Sequence, residues 1–312
     1  MRALLATISL ALMTGTGFAA PIEVVASFSI LGDMVKQVGG DRVAVTTIVG
    51  PNADTHVYEP KPQDAAALGQ AQAFFVNGLG FEGWLDRLVD ATGFEGKVVT
   101  ASEGVKTHEM AEEDEDHEEH DHDNEHDHAG GHHHHGGTDP HAWQSLSNGL
   151  IYVANIKAGL CDIDPEGCPG YEANAAAYSA EISALDAEVK AAIAAVPESQ
   201  RKAITTHDAF GYFGEAYGVS FLAPEGISTE SEASAADVAR LIEQVRSEGA
   251  KALFIENMSD PRLVQEIAQE TGAKLGGALY ADALSEPDEG AATYLDMFRH
   301  NVALLVPALE GR

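Results

Sequence analysis

Basic residues are scarce in this chain, and their scarcity excludes one broad class of partner. The 312 residues include 18 Lys and Arg against 50 Asp and Glu. Twelve of the acidic residues lie in a single insert, and removing them still leaves 38 against 18. Nucleic-acid binding requires a basic surface, whereas an acidic surface attracts cations. We therefore expect no nucleic-acid partner.

Long apolar runs are absent once the first residues are passed. Residues 1–20 contain Arg2, an apolar stretch at residues 3–13 and a region rich in small residues at positions 17–20, as secretory signal peptides do. That stretch is too short to span a membrane, and no later run reaches the about 18 apolar residues that a spanning helix needs. No cysteine lies near the expected cleavage after Ala19 or Ala20, so we expect an exported chain without a lipid anchor.

Cysteine is also rare, with Cys161 and Cys168 as the two in the sequence. Export favours a disulfide between them. The turn sequence Asp-Pro-Glu-Gly at residues 164–167 can bring the two sulfur atoms together. Two free thiols or a pair of zinc ligands are the alternatives.

Histidine, in contrast, is abundant and is concentrated in one acidic insert at residues 107–137, which contains ten of the 14 histidines and no Lys or Arg. Imidazole beside carboxylate suits borderline divalent ions, above all zinc. So polar a segment cannot bury a core, and we expect a mobile, solvated loop that binds metal weakly. A charged linker without a task and an affinity tag are the alternatives. Beyond His108, the expected accessory ligands are His117, His120, His122, His126, His128, His132, His133, His134 and His135.

Strand and helix patterns alternate along the rest of the chain, which is long enough for two lobes. Predicted strands occupy residues 22–28, 43–49, 74–77 and 98–101, and later residues 203–206, 219–222, 252–255 and 275–280. Predicted helices occupy residues 31–38, 64–70 and 81–91, and later residues 235–247, 261–271 and 290–305. This alternation predicts α/β lobes with mostly parallel sheets and helices on both faces.

One long helix is predicted between the two groups of strands, at residues 171–196. Its apolar residues recur at steps of three and four, which places them on one face: Tyr171, Ala175, Tyr178, Ile182, Leu185, Val189, Ile193 and Val196. At about 1.5 Å per residue, the helix is about 39 Å long. The predicted organisation is an N-terminal lobe (residues 21–168, with the histidine-rich loop at 104–139), a linking helix (169–198) and a C-terminal lobe (199–312).

A glycine-rich segment at residues 78–83 fits the pattern GxGxxG after a predicted strand. This pattern alone is weak evidence for a dinucleotide site. Glu82 would lie where the pyrophosphate has to bind, and a carboxylate repels it. We therefore interpret the glycines as turn residues.

Four histidines lie outside the insert: His56, His141, His207 and His300. The first three are in loops or at a strand end, and Asp282 follows another predicted strand. In doubly wound sheets, ligands bind beyond the carboxyl ends of the strands. A single loop histidine is usually a polar surface residue, but three of them favour a metal site in a chain with this insert. His300 lies in a predicted helix, and we interpret it as a surface residue.

The segments HVYEP, DPHAW, TTHDAFGYF and LYADALS, together with NGLGFEGWLDRL, resemble the zinc and manganese solute-binding proteins of bacterial ABC importers. The resemblance covers nearly the whole mature chain. It implies two Rossmann-like lobes joined by one long rigid helix, with the metal between them. His56 and His141 would come from the first lobe, and His207 and Asp282 from the second. The protein would be a periplasmic monomer, not an enzyme, that captures Zn²⁺ and delivers it to a membrane permease. A periplasmic zinc donor protein is a candidate second partner.

The ligand chemistry agrees with the zinc branch of that family. Three neutral imidazoles and one carboxylate make a closed tetrahedral zinc set. Manganese-selective relatives tend to use two histidines and two carboxylates, which suit a harder ion. Glu59 and Asp208 are candidate hydrogen-bond acceptors behind the ligands. The cysteine pair is not at the position of the family's usual disulfide.

Three other functions compete with zinc transport. The first is manganese or iron binding on the same fold, and the second is adhesion by a surface protein of this fold. The third is a secreted zinc hydrolase, but the sequence has neither HExxH nor GxSxG. A catalytic zinc also keeps one position for water, whereas the four predicted ligands fill all of them.

Overall fold

Two parallel four-stranded sheets organise the computed structural model, which describes residues 20–108, 138–230, 233–248, 250 and 252–312. The first sheet has the order β2-β1-β3-β4, with β1 (Ile22–Phe28), β2 (Val43–Val49), β3 (Ala73–Val76) and β4 (Lys97–Thr100). The second has the order β6-β5-β7-β8, with β5 (Lys202–Ile204), β6 (Ser220–Leu222), β7 (Ala252–Glu256) and β8 (Lys274–Leu279). The predicted α/β class with two parallel sheets is confirmed.

The central strands of the first sheet are continuous apolar runs because both faces of a parallel sheet are covered. Residues 24–28 of β1 are all buried, and so is the whole of β3. Helices α1 (Ser29–Gly39), α2 (Pro62–Leu68) and α3 (Leu85–Thr92) connect these strands. The predicted helix at residues 81–91 starts late, at Leu85.

The late start of α3 reflects the glycine-rich turn before it. Gly78, Leu79 and Gly80 have left-handed φ angles of 82°, 56° and 80°. A Cβ atom on Gly78 would lie 2.6 Å from the side chain of Thr100. The buried Glu82 carboxylate accepts hydrogen bonds from the Asn77 and Gly78 amides, so the donors that a phosphate would need are already occupied.

Two long helices, α4 (Leu146–Ile163) and α5 (Cys168–Ala194), form an antiparallel hairpin between the sheets. A disulfide between Cys161 and Cys168 closes the hairpin, as the sequence predicts. At the same turn, Arg42 and Tyr171 both donate hydrogen bonds to Asp164. Hydrogen bonds therefore connect the turn both to the first lobe, through Arg42, and to the start of α5, through Tyr171.

Helix α5 corresponds to the predicted long helix, and its predicted apolar face is buried. It contacts the first lobe through Asn174, which donates to the Val38 carbonyl at 3.0 Å. It contacts the second through Asp186, which accepts from the Tyr217 hydroxyl at 3.0 Å. The helix therefore packs along both lobes.

The second lobe contains α6 (Gly211–Tyr217), α7 (Ala235–Glu248), α8 (Arg262–Thr271) and α9 (Tyr294–Leu309). Prediction placed the last helix at residues 290–305, but it begins after Thr293, whose hydroxyl accepts from the Asp296 amide. Residues 205 and 206 were predicted as strand, but β5 ends before them. Among the described residues, no helix is both long and apolar enough to cross a membrane.

The main hydrophobic core is shared by the two lobes. It extends from Val24 and Phe28 in the first sheet through Trp143 to Leu279 and Tyr294 in the second lobe. A smaller, separate cluster lies beneath α7 and α8 and consists of Ile204, Leu241, Val245, Ala250, Leu253, Val264 and Ile267. The end of β8 therefore belongs to the shared core, whereas much of the outer part of the second lobe has a core of its own.

Candidate metal centre

The four predicted ligands meet at one buried point between the sheets. His56 lies in the loop after β2, His141 follows the insert, His207 follows β5, and Asp282 follows β8. One potential ligand atom from each lies within 4.8 Å of the others. Three of these residues follow the carboxyl ends of parallel strands, where doubly wound sheets bind their ligands.

The separations between these ligand atoms suit a single ion. The Nε2 atom of His56 is 3.3 Å from Nε2 of His141 and 3.4 Å from Oδ2 of Asp282. Asp282 also lies 3.5 Å from His141 and 3.1 Å from His207. A tetrahedral ion with bonds of about 2.0–2.1 Å has ligand–ligand edges of about 3.3–3.4 Å. These four separations are close to such edges, and all of the separations are within 4.8 Å, so the donors could surround one divalent ion after small shifts.

Burial leaves polar atoms of the cluster without partners. His141, His207 and Asp282 are completely buried, and His56 is 7% exposed. Both carboxylate oxygens of Asp282 and Nε2 of His207 lack a hydrogen bond within the described residues. Leaving such groups unpaired costs about 1–3 kcal/mol each. A cation at the centre would satisfy them.

Two carboxylates orient the histidine rings from behind. Asp139 lies 2.7 Å from Nδ1 of His141 and also accepts from the His141 amide. Glu256, at the end of β7, contacts Nδ1 of His207 and accepts from its amide at 3.1 Å. Holding Nδ1 in this way directs each Nε2 towards the centre.

These two carboxylates are not the ones that the sequence suggested. Glu59 is exposed, and Asp208 is half-buried without a hydrogen bond to a ligand ring among those that the structure describes. Asp139 could have been found, because an acid two residues before a histidine can bond both its amide and its ring. Glu256 could also have been suspected, because it ends a strand at the same edge of the sheet.

Electrostatics in the metal-free centre favour charged imidazoles. Burial lowers the pKa of His141, but Asp282 and Asp139 outweigh it and raise that pKa to about 9. Burial likewise opposes protonation of His207, whose pKa Glu256 and Asp282 raise well above its usual value. Burial raises the pKa of Asp282, but His141 and His207 hold it well below the usual carboxyl range. Metal and protons therefore compete for the same nitrogen atoms.

Aromatic rings form one wall of the centre. The ring of Phe81 lies 4.9 Å from that of His56, edge to face, and 5.9 Å from that of His141. Trp143 lies 5.3 Å from the ring of His141. Such a wall excludes water and strengthens the attraction between a cation and its ligands.

A cavity of about 630 Å³ opens beside His56, the one ligand with exposed surface. Phe81 and Pro140 line its first-lobe side, and Ser228 lines the other. Thr107, the first residue of the histidine-rich insert, and Thr138, which follows the insert, also line the cavity. This cavity brings solvent-accessible space to His56.

The remaining histidines lie elsewhere. His300 is half-buried rather than a plain surface residue, because its Nε2 lies 3.0 Å from the Ala278 carbonyl and its ring packs on Tyr280. His108 is 2.6 Å from Glu215 and packs on Tyr212. The expected loop ligands His117, His120, His122, His126, His128 and His132 to His135 lie outside the described residues.

Comparison with known proteins identifies the family. A family model described as zinc-uptake complex component A, periplasmic, matches residues 24–308. The chain is 33% identical over 289 residues to the manganese-binding lipoprotein MntA of Halalkalibacterium halodurans, covering 93% of this chain and 89% of that protein.

Solved structures of periplasmic metal-binding proteins also match this fold. The Mn-bound periplasmic metal binding protein from Candidatus Liberibacter asiaticus matches with a TM-score of 0.78 and 30% identity, covering 92% of this chain and 98% of that one. The periplasmic zinc binding protein TroA from Treponema pallidum matches with a TM-score of 0.81 and 27% identity, covering 93% and 99%.

These similarities exclude one alternative function and leave one expectation about the N-terminus without support. The matching proteins bind solutes and are not enzymes, so the hydrolase alternative is excluded. Curated relatives are named lipoproteins, and their names do not support the expectation of a chain without a lipid anchor. The predicted signal peptide, except for Ala20, lies outside the described residues. The chain belongs to the zinc-uptake component A family, the metal-binding solute-binding proteins that serve the membrane permease and ATPase of bacterial ABC importers.

Proposed function

We propose that this protein captures Zn²⁺ in the periplasm at His56, His141, His207 and Asp282, and delivers it to the permease of a zinc importer. The observation that carries the proposal is the donor set itself. Three imidazoles and one carboxylate converge within 4.8 Å, in a buried centre. Four protein donors of this kind fill a tetrahedral zinc site and leave no position for a reacting water.

Manganese is the alternative cargo, and the names of curated relatives favour it. Manganese prefers oxygen ligands and a higher coordination number. In this centre Asp282 is the single carboxylate among the four grouped donors. Asp139 and Glu256 face the far nitrogen atoms of His141 and His207 instead. The balance of nitrogen over oxygen therefore supports zinc.

A competition titration tests this choice of metal. Metal-free protein is titrated with Zn²⁺ and Mn²⁺ in buffers that fix the free concentration of each ion. We expect zinc to bind more tightly by a factor of about 1,000 or more, because the affinity order for such donors places manganese far below zinc. Equal binding of the two ions would favour the manganese alternative.

The histidine-rich insert has a separate proposed role. We propose that its histidines, from His117 to His135, bind additional zinc weakly. The support is compositional, since the insert holds most of the histidines of the chain and no Lys or Arg. A segment of this composition cannot bury a core, so ordering it around an ion costs conformational entropy and its affinity should be modest.

Export is also part of the proposal. We propose that residues 1–20 direct secretion and are removed. Mass spectrometry of the mature N-terminus tests this directly: a chain that begins at position 20 or 21 supports it, and an intact Met1 contradicts it. The same spectrum reports any attached lipid.

A further inference from the structure

Asp282 is held differently from the histidines. The rings of His141 and His207 are each bonded to a carboxylate behind them. Asp282 has no such partner behind it: its carboxylate oxygens make no hydrogen bond among the described residues, and they face the nitrogen atoms of the other ligands at 3.1–3.5 Å. The orientation of this ligand therefore depends on how the main chain on either side of it is fixed.

Before Asp282, the main chain is bonded to the segment that carries His141. The carbonyl of Ala281 accepts from Nε1 of Trp143 at 2.9 Å and from Nε2 of Gln144 at 2.7 Å. Both donors are completely buried. They follow His141 by two and three residues. One short segment therefore supplies the ligand His141 and also fixes Ala281, the residue before the ligand Asp282.

After Asp282, the main chain is bonded to the region of the first lobe that carries His56. The Leu284 amide donates to Oγ of Ser29 at 2.9 Å. The Leu284 carbonyl accepts from the amide of Asn52 at 2.9 Å. Asn52 lies in the loop of His56 and adopts a left-handed φ of 53°.

The side chain of Asn52 strengthens the same connection. Its amide group donates to Glu289 at 2.9 Å, and its oxygen accepts from Asn257 at 2.8 Å. All of these partners lie in the second lobe. Asparagine adopts left-handed φ angles more readily than most residues, and these bonds hold Asn52 in that conformation.

We infer that Trp143, Gln144, Ser29 and Asn52 are positioning residues that hold Asp282 in register with His141 and His56. Asp282 follows a strand of the second sheet, yet its main chain is bonded to the first lobe on both sides. Three of the four ligands thus form one preassembled set. Preassembly reduces the ordering cost of metal binding and so raises affinity. This inference rests on the proposed metal site.

The test removes the two donors to Ala281. Gln144→Met keeps the side-chain length and is the cleaner variant, whereas Trp143→Phe leaves a smaller ring beside His141. Trp143→Phe and Gln144→Met each delete one bond, and we expect zinc affinity to fall about 3- to 10-fold for each and about 10- to 100-fold for both. The visible absorption of bound Co²⁺, which distinguishes four-coordinate from six-coordinate ions, should also change. This spectrum reports ligand geometry and does not respond to a general loss of stability.

Asn174→Leu provides the matched control. It also deletes a bond from a side-chain amide to a carbonyl, that of Val38, but at the α1–α5 contact rather than beside a ligand. It should lower the melting temperature of the metal-free protein and leave zinc affinity within about twofold. The inference is overturned if the double variant behaves like this control, with lower stability but unchanged zinc affinity and an unchanged Co²⁺ spectrum.

Two further variants keep the test decisive. If the double variant does not fold, Ser29→Ala removes the bond to Leu284 with little change in volume. It should weaken zinc binding about threefold, and wild-type affinity would overturn the inference. Asp282→Ala distinguishes a wrong metal site from a wrong positioning role. If it binds zinc normally, the proposed metal site is wrong. If it loses affinity while the positioning variants do not, only the positioning role is wrong.

Discussion

The two sides of the metal centre are built differently. Hydrogen bonds to the main chain beside Asp282 join it to the segments that carry His56 and His141, and these segments lie against the core that both lobes share. His207 is tied to Glu256 instead, on strands that partly cover the smaller cluster beneath α7 and α8. The sheet from which a ligand emerges therefore does not reveal which part of the molecule holds it. A bound metal ion would connect the side that carries His56, His141 and Asp282 to the side that carries His207.

The largest expected effect comes from removing a ligand on either side. A structural zinc site contributes about 10–16 kcal/mol, so each of four ligands accounts for about 3–4 kcal/mol, or a factor of about 100 to 1,000 in affinity. We expect losses of this size for His207→Ala and His141→Ala in a chelator competition assay. His300→Ala, which lies outside the centre, should stay within about twofold. Tight zinc binding by both variants would show that His141 and His207 are not ligands.

The next effect concerns pH. The sequence predicts that binding weakens below a pH of about 6, where free imidazoles take protons. The pKa of His141 is raised to about 9, so proton competition begins higher, and affinity should fall as pH decreases through 9.

The sign of this effect follows from linkage. A raised pKa stabilises the metal-free fold fully below the unfolded value of about 6.5, and this contribution is lost as pH rises through about 9. Zinc must displace that proton, so binding at pH 7.5 should release protons. Calorimetry in buffers of different ionisation enthalpy measures the release. Binding without proton release would contradict the prediction.

The carboxylates behind the rings offer a direct comparison of the two sides. Asp139→Asn acts on the three-ligand side and Glu256→Gln on the His207 side, and each should weaken zinc binding about 10- to 100-fold. Glu256 accepts from two main-chain amides as well as the ring, so its loss should have the larger effect. The same titration measures both. A larger loss of zinc affinity for Asp139→Asn than for Glu256→Gln would contradict this prediction.

Movement between the lobes should be small. Helix α5 packs along both lobes, and a continuous packed helix has few places to absorb a large backbone change. With residues 109–135 deleted, small-angle scattering should show nearly equal radii of gyration for metal-free and zinc-bound protein. A large compaction on binding would show that α5 does not act as a brace.

The smallest effect on the tight site is expected from the insert. Deleting residues 109–135 should remove weak zinc binding and change the affinity of the main site by no more than about twofold, since that site has its own four donors. Equilibrium dialysis gives the number of bound ions. Loss of tight binding would show that the insert supplies an essential ligand.

Local sequence patterns account for much of the fold. The bounds of β1 and β2 agree with prediction because apolar β-rich runs end at clear turns. The buried face of α5 also follows from its spacing. In contrast, α4 was not predicted, because two glycines interrupt its apolar pattern. Gly149 lies against the ring of Tyr294, and Gly159 against Val99, where a Cβ atom would come within 2.7 Å and 2.6 Å. The division into lobes at residues 168 and 198 stays a prediction.

The sequence by itself determined the types of donor and the strand ends that bear them, because these depend on residue identity and on short-range patterns. Motif resemblance added the choice of His56, His141, His207 and Asp282. Only the tertiary structure decided that Glu256 orients the ring of His207, and that Trp143 and Gln144 fix the main chain beside Asp282. The physical reason is that these bonds join residues up to 138 positions apart. No local pattern encodes such a pairing until packing brings the two segments together.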